Sequence, residues 1–135
     1  LQEANSMLAL LILSHSQDLS RVNKEICLQL APEDVVIEAI GGTKEGRLGI
    51  DAMKVLTTLE ELLNKSDGVI VVGDIGSTIL AAKNALNLCS APSKVRLADS
   101  PLVEGSIVAA VEAQLGSQLD EVLKKAEEAK LINKL

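Results

Sequence analysis

The sequence predicts a single-domain α/β protein built on an open, mainly parallel sheet with helices on both faces. Three observations predict it. Four short apolar runs alternate with longer segments whose apolar residues recur every three to four positions. The runs are apolar at consecutive positions rather than at alternate ones, as in strands covered on both sides. Finally, 135 residues with no linker, repeat or low-complexity tract fit one domain that buries roughly 68% of its unfolded surface.

The elements follow in order. Residues 8–13 form the first strand, and Leu19, Val22, Ile26 and Leu30 mark the helix after it. The second strand covers 35–40. A glycine-rich stretch and a helix carrying Val55, Leu56, Leu59, Leu62 and Leu63 come next. Strand three is 69–72, followed by Ile79, Leu80, Ala82 and Leu86 at helical spacing. Strand four is 94–98, with Leu102, Ile107, Val108 and Val111 behind it. Leu115, Leu119, Val122, Leu123, Ala126 and Ala129 describe a final amphipathic helix, and Ser117 with Asp120 three residues later reads as its capping pair. Right-handed crossovers leave few sheet orders, of which 2-1-3-4 suits this length. Residues 1–6 are expected to be a remnant or a disordered start ahead of a natural start at Met7, so the domain itself is 7–135.

Composition excludes several functions. The chain has no Phe, Tyr or Trp and a net charge of −6. It therefore offers neither a stacking platform nor a basic patch for nucleic acid. No apolar run approaches the ~18 residues of a membrane span, and the run 7–13 follows a segment with Glu3 and no basic residue. A signal peptide is not expected, and a cytoplasmic protein without membrane partners is. Cys27 and Cys89 lie far apart and read as reduced thiols. One histidine and two distant cysteines supply no zinc site, so no metal or other cofactor is expected. The absence of GxSxG excludes an elbow-type hydrolase.

In open α/β sheets, ligands bind beyond the carboxyl ends of the strands. Four loops fall there: Ser14-His15-Ser16, the stretch from Gly41 to Gly49, Gly73-Asp74-Ile75-Gly76-Ser77, and the stretch from Asp99 to Gly105. His15 is the only histidine, placed between two serines directly after the first strand. A neutral imidazole attacks phosphorus through one ring nitrogen, and a covalent intermediate divides a hard transfer into two easier ones. The other nitrogen needs an acceptor to fix the tautomer. Asp74 is the best-placed carboxylate, and it also reads as a turn or helix-cap residue. The glycine loop matches neither a P-loop nor GxGxxG. Its amides can nonetheless approach an anion, with Thr43 and Ser77 as hydroxyl donors.

Leu11-Ile12-Leu13-Ser14-His15-Ser16, Ile40-Gly41-Gly42-Thr43, Gly73-Asp74-Ile75-Gly76-Ser77 and Pro101-Leu102-Val103-Glu104-Gly105, in this order and spacing, resemble a known family. It is the phosphotransferase (DhaM-like) subunit of the phosphoenolpyruvate-dependent dihydroxyacetone kinase, itself similar to mannose-type IIA domains of the sugar phosphotransferase system. The resemblance spans residues 7–131. It implies that His15 is phosphorylated by the phosphocarrier HPr and passes the group to ADP on a DhaL-like subunit. It also implies a homodimer and the sheet order 2-1-3-4. Asp74 then matches the family aspartate beside the histidine, and Gly42, Thr43, Gly76 and Ser77 surround the phosphoryl group. Where the family carries a small hydroxyl pair after the glycine at Gly49, this chain has Ile50-Asp51. Asp51 is expected to cap the next helix, and because a carboxylate near a phosphohistidine is repulsive, the end of this loop is not expected to bind phosphate. Lys44 and Arg47 can offset that charge or meet an acidic partner.

Two readings stand beside this one: a mannose-type sugar IIA domain, and a non-catalytic binding or regulatory module on the same fold. A receiver domain phosphorylated on aspartate is the weakest. In every phosphocarrier version the loop edge is the partner surface, with Ile75 and Leu102 as contacts.

Overall fold

The computed structural model describes residues 7–135, and the expectation for residues 1–6 lies outside them. Four strands, β1 (Leu8–Ser14), β2 (Val35–Gly41), β3 (Gly68–Gly73) and β4 (Val95–Leu97), form one all-parallel sheet in the order β2-β1-β3-β4. Five helices connect and cover them: α1 (Gln17–Leu30), α2 (Ala52–Lys65), α3 (Gly76–Leu88), α4 (Leu102–Gln114) and α5 (Leu119–Glu128). The predicted order and the helices on both faces are thus present.

The apolar runs explain the layering. Strand β1 is buried at all seven positions, and its side chains divide between two cores because successive residues point to opposite faces. Leu8, Leu10 and Ile12 join Ile70, Val72, Ala109 and Val122 beneath α1, α4 and α5. Ala9, Leu11 and Leu13 join Val55, Leu59, Val69 and Ala82 beneath α2 and α3. With no aromatic ring available, aliphatic side chains fill both layers, each worth about 1.5–3 kcal/mol when fully buried. Alanines at 81, 82, 85, 109, 110 and 113 let α3 and α4 lie close to the sheet.

The last helix departs from its predicted start. Leu115 ends α4 and is exposed, and Gln118, not Ser117, occupies the N-cap of α5 without a side-chain bond. Ser117 instead donates its hydroxyl to Glu112, and Asp120 accepts from Arg96 Nε at 2.8 Å. The capping spacing is present, but both side chains are taken by stronger partners. At α2 the expected cap forms: Asp51 Oδ1 accepts from the Lys54 amide at 3.2 Å.

Strand register positions the site. Ser14 pairs with Gly41 and Leu13 with Gly73. The next residues along each strand therefore bring His15 level with Gly42, and Ser14 level with Asp74. Gly41 allows this approach, because a Cβ there would run into the Ser16 carbonyl and lie 2.7 Å from Ser20 Oγ.

Candidate active site

His15 leaves the end of β1 held at three points. Its ring Nδ1 stands 2.6 Å from Asp74 Oδ2, its amide donates to the same carboxylate at 3.2–3.3 Å, and its carbonyl accepts from the Gly49 amide at 2.8 Å. Ser16 next to it caps α1, accepting from the Leu19 amide at 3.2 Å. The ring side chain keeps 32% of its surface exposed while Asp74 keeps 10%. A partner can thus reach the imidazole but not its carboxylate.

Asp74 is the hub of the site. Oδ2 accepts from Ser14 Oγ at 2.8 Å, and Oδ1 from the Ile75 amide at 2.7 Å and Thr78 Oγ1 at 3.1 Å. Burial alone would raise its pKa. The bonds from Ser14, His15 and Ile75 outweigh burial and hold the carboxyl below its ordinary value. An ionised Asp74 accepts only, so Nδ1 carries the ring proton and Nε2 keeps its lone pair. Asp74 also accepts the amide of Ile75, which itself occupies the N-cap of α3, so Asp74 is the turn residue before the cap rather than the cap. Both of its oxygens are engaged by donors, which leaves little freedom for the aspartyl phosphate of a receiver domain.

The glycine loop lies on the other side of β1. Gly42 takes φ +79°, a conformation that favours glycine, and forms an isolated parallel bridge with Ile50. Thr43 follows in the same loop. Its Oγ1 accepts from the Arg47 amide at 3.1 Å and its own amide donates to the Arg47 carbonyl at 2.9 Å, closing a turn. The Thr43 hydroxyl proton has no partner in that turn. Gly76 and Ser77 form the exposed first turn of α3, with open space where a Gly76 Cβ would stand. The N-termini of α1 and α3 both open at this edge, where an anion is favoured. Ile75 is exposed here as expected, whereas Leu102 packs on the core and Val103 is the exposed neighbour.

A family model described as the PTS system fructose IIA component (EIIA-man) matches residues 9–123. The chain belongs to this family. Within it, the chain is DhaM-like. It is 32% identical over 121 residues to the phosphoryl donor subunit DhaM of PEP-dependent dihydroxyacetone kinase 2 from Listeria innocua, covering 88% of this chain and 96% of that protein. The DhaM of Escherichia coli is 36% identical over 122 residues, which are 87% of this chain but 26% of that longer protein. The DhaM of Lactococcus lactis, described as a phosphotransferase subunit, is 28% identical across 97% of its length. A crystal structure of the unknown-function protein EF1359 superposes with a TM-score of 0.78 at 30% identity, covering 89% of this chain and 92% of that one. A DegV family protein from Corynebacterium glutamicum shares the fold at 21% identity, with a TM-score of 0.64 over 49% of its length.

In this IIA-family chain, sequence reasoning missed two residues of the site. Ser14 is fully buried and Thr78 likewise; Ser14 donates to Asp74, and the Thr78 hydroxyl lies within reach of both Asp74 and the Ile75 carbonyl. Thr78 carried a usable signal: it lies four residues beyond Asp74, so one helical turn places its hydroxyl under the carboxylate. Among the described residues, no group of three or more His, Cys, Asp or Glu side chains can hold a metal ion, and no helix is long and apolar enough to cross a membrane.

Proposed function

We propose that this chain is a cytoplasmic phosphocarrier that receives a phosphoryl group on His15 from an HPr-like donor. It then passes the group to ADP on a DhaL-like subunit for the phosphorylation of dihydroxyacetone. The observation that carries this reading is the 2.6 Å pair between His15 Nδ1 and Asp74 Oδ2, which leaves Nε2 as the nucleophile at an exposed ring edge. Relatives described as the phosphoryl donor or phosphotransferase subunit of a dihydroxyacetone kinase support a carrier role, and the donor and acceptor classes are those the family resemblance implies.

In the loading step, the Nε2 lone pair attacks the donor's phosphoryl group. The Nε2–P bond forms as the donor's N–P bond breaks, and that electron pair returns to the donor imidazole. The His15 ring becomes cationic with its proton kept on Nδ1, and Asp74 stabilises it there. In discharge, a terminal oxygen of ADP attacks phosphorus and the Nε2–P pair returns to the ring. Charge on the moving group is met by the amides of Gly42 and Gly76, the hydroxyls of Thr43 and Ser77, and the helix N-termini. The carrier works as a homodimer in this reading. Leu19, Val22, Ile26 and Leu30, all between 37% and 52% exposed along α1, supply an apolar stripe for a second copy.

The test is an intact-mass measurement with the wild type and His15→Ala after incubation with phosphoenolpyruvate and the upstream carriers. The reading requires one phosphoryl group on the wild type, lost on adding ADP and the DhaL-like subunit, and none on His15→Ala. Label retained by His15→Ala would refute it.

A further inference from the structure

The chain carries a net charge of −6, yet cations gather on the His15 side of the glycine loop. Lys44 and Lys54 line a cavity of about 240 Å³ together with Gln17, Gly42, Thr43 and Asp51, and Arg47 lies on the same loop. Among the described residues none of these three cations makes an ion pair, whereas Lys24, Arg96, Lys130 and Lys134 do. Asp51 does not neutralise them by contact: its Oδ1 is bonded to the backbone amide of Lys54, and its charge sits on the N-terminus of α2. Glu45 lines an adjoining depression that shares Thr43, Lys44 and Asp51 with this cavity, and it makes no ion pair with Lys44.

Position ties this cavity to the reacting atom. Its wall begins at Gln17, two residues after His15, and its loop is fastened to the His15 carbonyl through the Gly49 amide. Nδ1 is taken up by Asp74, at the end of β3. The sheet order puts β2 and its loop on the opposite side of β1 from Asp74. At about 240 Å³ the cavity is smaller than the ~300 Å³ at which drug-sized ligand pockets begin. It has room for a phosphate-sized group.

We propose that Lys44 and Lys54 form a subsite for the non-reacting phosphate of the nucleoside diphosphate that takes the phosphoryl group from His15. The proposal rests on the phosphocarrier reading above. Its physical reason is charge. Discharge brings a phosphorylated imidazole against a diphosphate, and the repulsion between them must be screened. Loading from a donor phosphohistidine brings no second phosphate. The two half-reactions therefore make different demands on the lysines, and the subsite serves only the second.

The experiment compares wild type, Lys44→Gln, Lys54→Gln and the double variant in each half-reaction separately. Loading from the HPr-like donor is followed by intact mass, and discharge by single turnover with ADP on the DhaL-like subunit. The double variant is expected to load within about twofold of wild type and to discharge about 10-fold more slowly, with Lys54→Arg recovering most of the rate. Equal discharge rates, or loading and discharge falling together, overturn the subsite. An NMR titration of the unphosphorylated chain with pyrophosphate decides the cavity independently. Amides of Gln17, Gly42 and Lys44 are expected to shift in the wild type and not in the double variant, and unshifted amides there overturn the proposal. A wild type that never loads refutes the phosphocarrier reading instead, and the titration still reports on the lysines.

Discussion

The Thr78 hydroxyl reaches Asp74 Oδ1 at 3.1 Å, on the oxygen opposite the one that receives the His15 ring. A carboxylate held from both sides cannot rotate away when the imidazole gains charge, so the residue that orients the ring is itself oriented. Thr78 Oγ1 also donates within 2.7 Å of the Ile75 carbonyl, which places the two acceptors in competition for one proton.

Thr78→Val removes that donor while preserving shape. We expect a loss of about 1 kcal/mol in stability and a severalfold slower loading of His15, with Thr78→Ser recovering both. Urea unfolding and the intact-mass time course measure the two effects, and an unchanged loading rate would make Thr78 a purely structural residue.

Asp74→Asn tests the tautomer argument. An amide can turn its NH2 toward Nδ1, which moves the ring proton to Nε2 and removes the nucleophilic lone pair. Loading should fall at least about 100-fold, within the range seen when the partner of a working histidine is replaced, while circular dichroism remains that of the wild type.

The same variant carries a pH signature. Asp74 titrates below its ordinary value in the folded chain, so the folded state binds its proton less readily than the unfolded state. Its contribution to stability is complete above the ordinary carboxylate value and is lost as pH falls through the lowered one. Melting temperatures measured from about pH 7 to about pH 2 should therefore show wild type and Asp74→Asn converging only at the acid end. Curves that stay parallel would mean that the carboxylate's bonds do not favour its charged form.

Gly41→Ala addresses how β2 approaches α1. The added methyl would meet the Ser16 carbonyl and Ser20 Oγ. Overpacking of this kind costs about 1–3 kcal/mol, and the shift it forces moves the turn that carries His15. Both the urea midpoint and the loading rate should drop, and a variant with wild-type values would show that the turn has slack.

Burial pushes the Cys27 thiol up to about 11, and neither cysteine is exposed. Alkylating reagents at neutral pH should leave both thiols unmodified in the folded protein and modify both in urea. Rapid labelling of the native chain would contradict the packing beneath α1.

Much of this architecture was legible in the sequence because a parallel sheet covered on both sides needs strands apolar at every position. Residues 8–13 and 69–72 satisfy that requirement without ambiguity. His15 and Asp74 were legible for a related reason: they follow strands whose carboxyl ends share one edge. What escaped were choices between partners. Ser117 and Asp120 have capping spacing, yet Glu112 and Arg96 lie close enough in space to claim them. Thr43 read only as a donor aimed at a ligand, and its second use, as the acceptor that closes the 43–47 turn, depends on where Arg47 folds back. Ser14 read as part of the loop at the end of the first strand, with no role of its own. Only register, which sets it level with Asp74, shows that its buried hydroxyl has a carboxylate to bond.

The central claim is that Asp74 reserves Nδ1 for a proton and leaves Nε2 to carry phosphorus. Phosphorus–nitrogen coupling in the NMR spectrum of the phosphorylated, 15N-labelled chain tests it most directly. The account predicts coupling to Nε2 of His15, with a proton retained on Nδ1. Coupling to Nδ1, or phosphorus bound to any other residue, would contradict it.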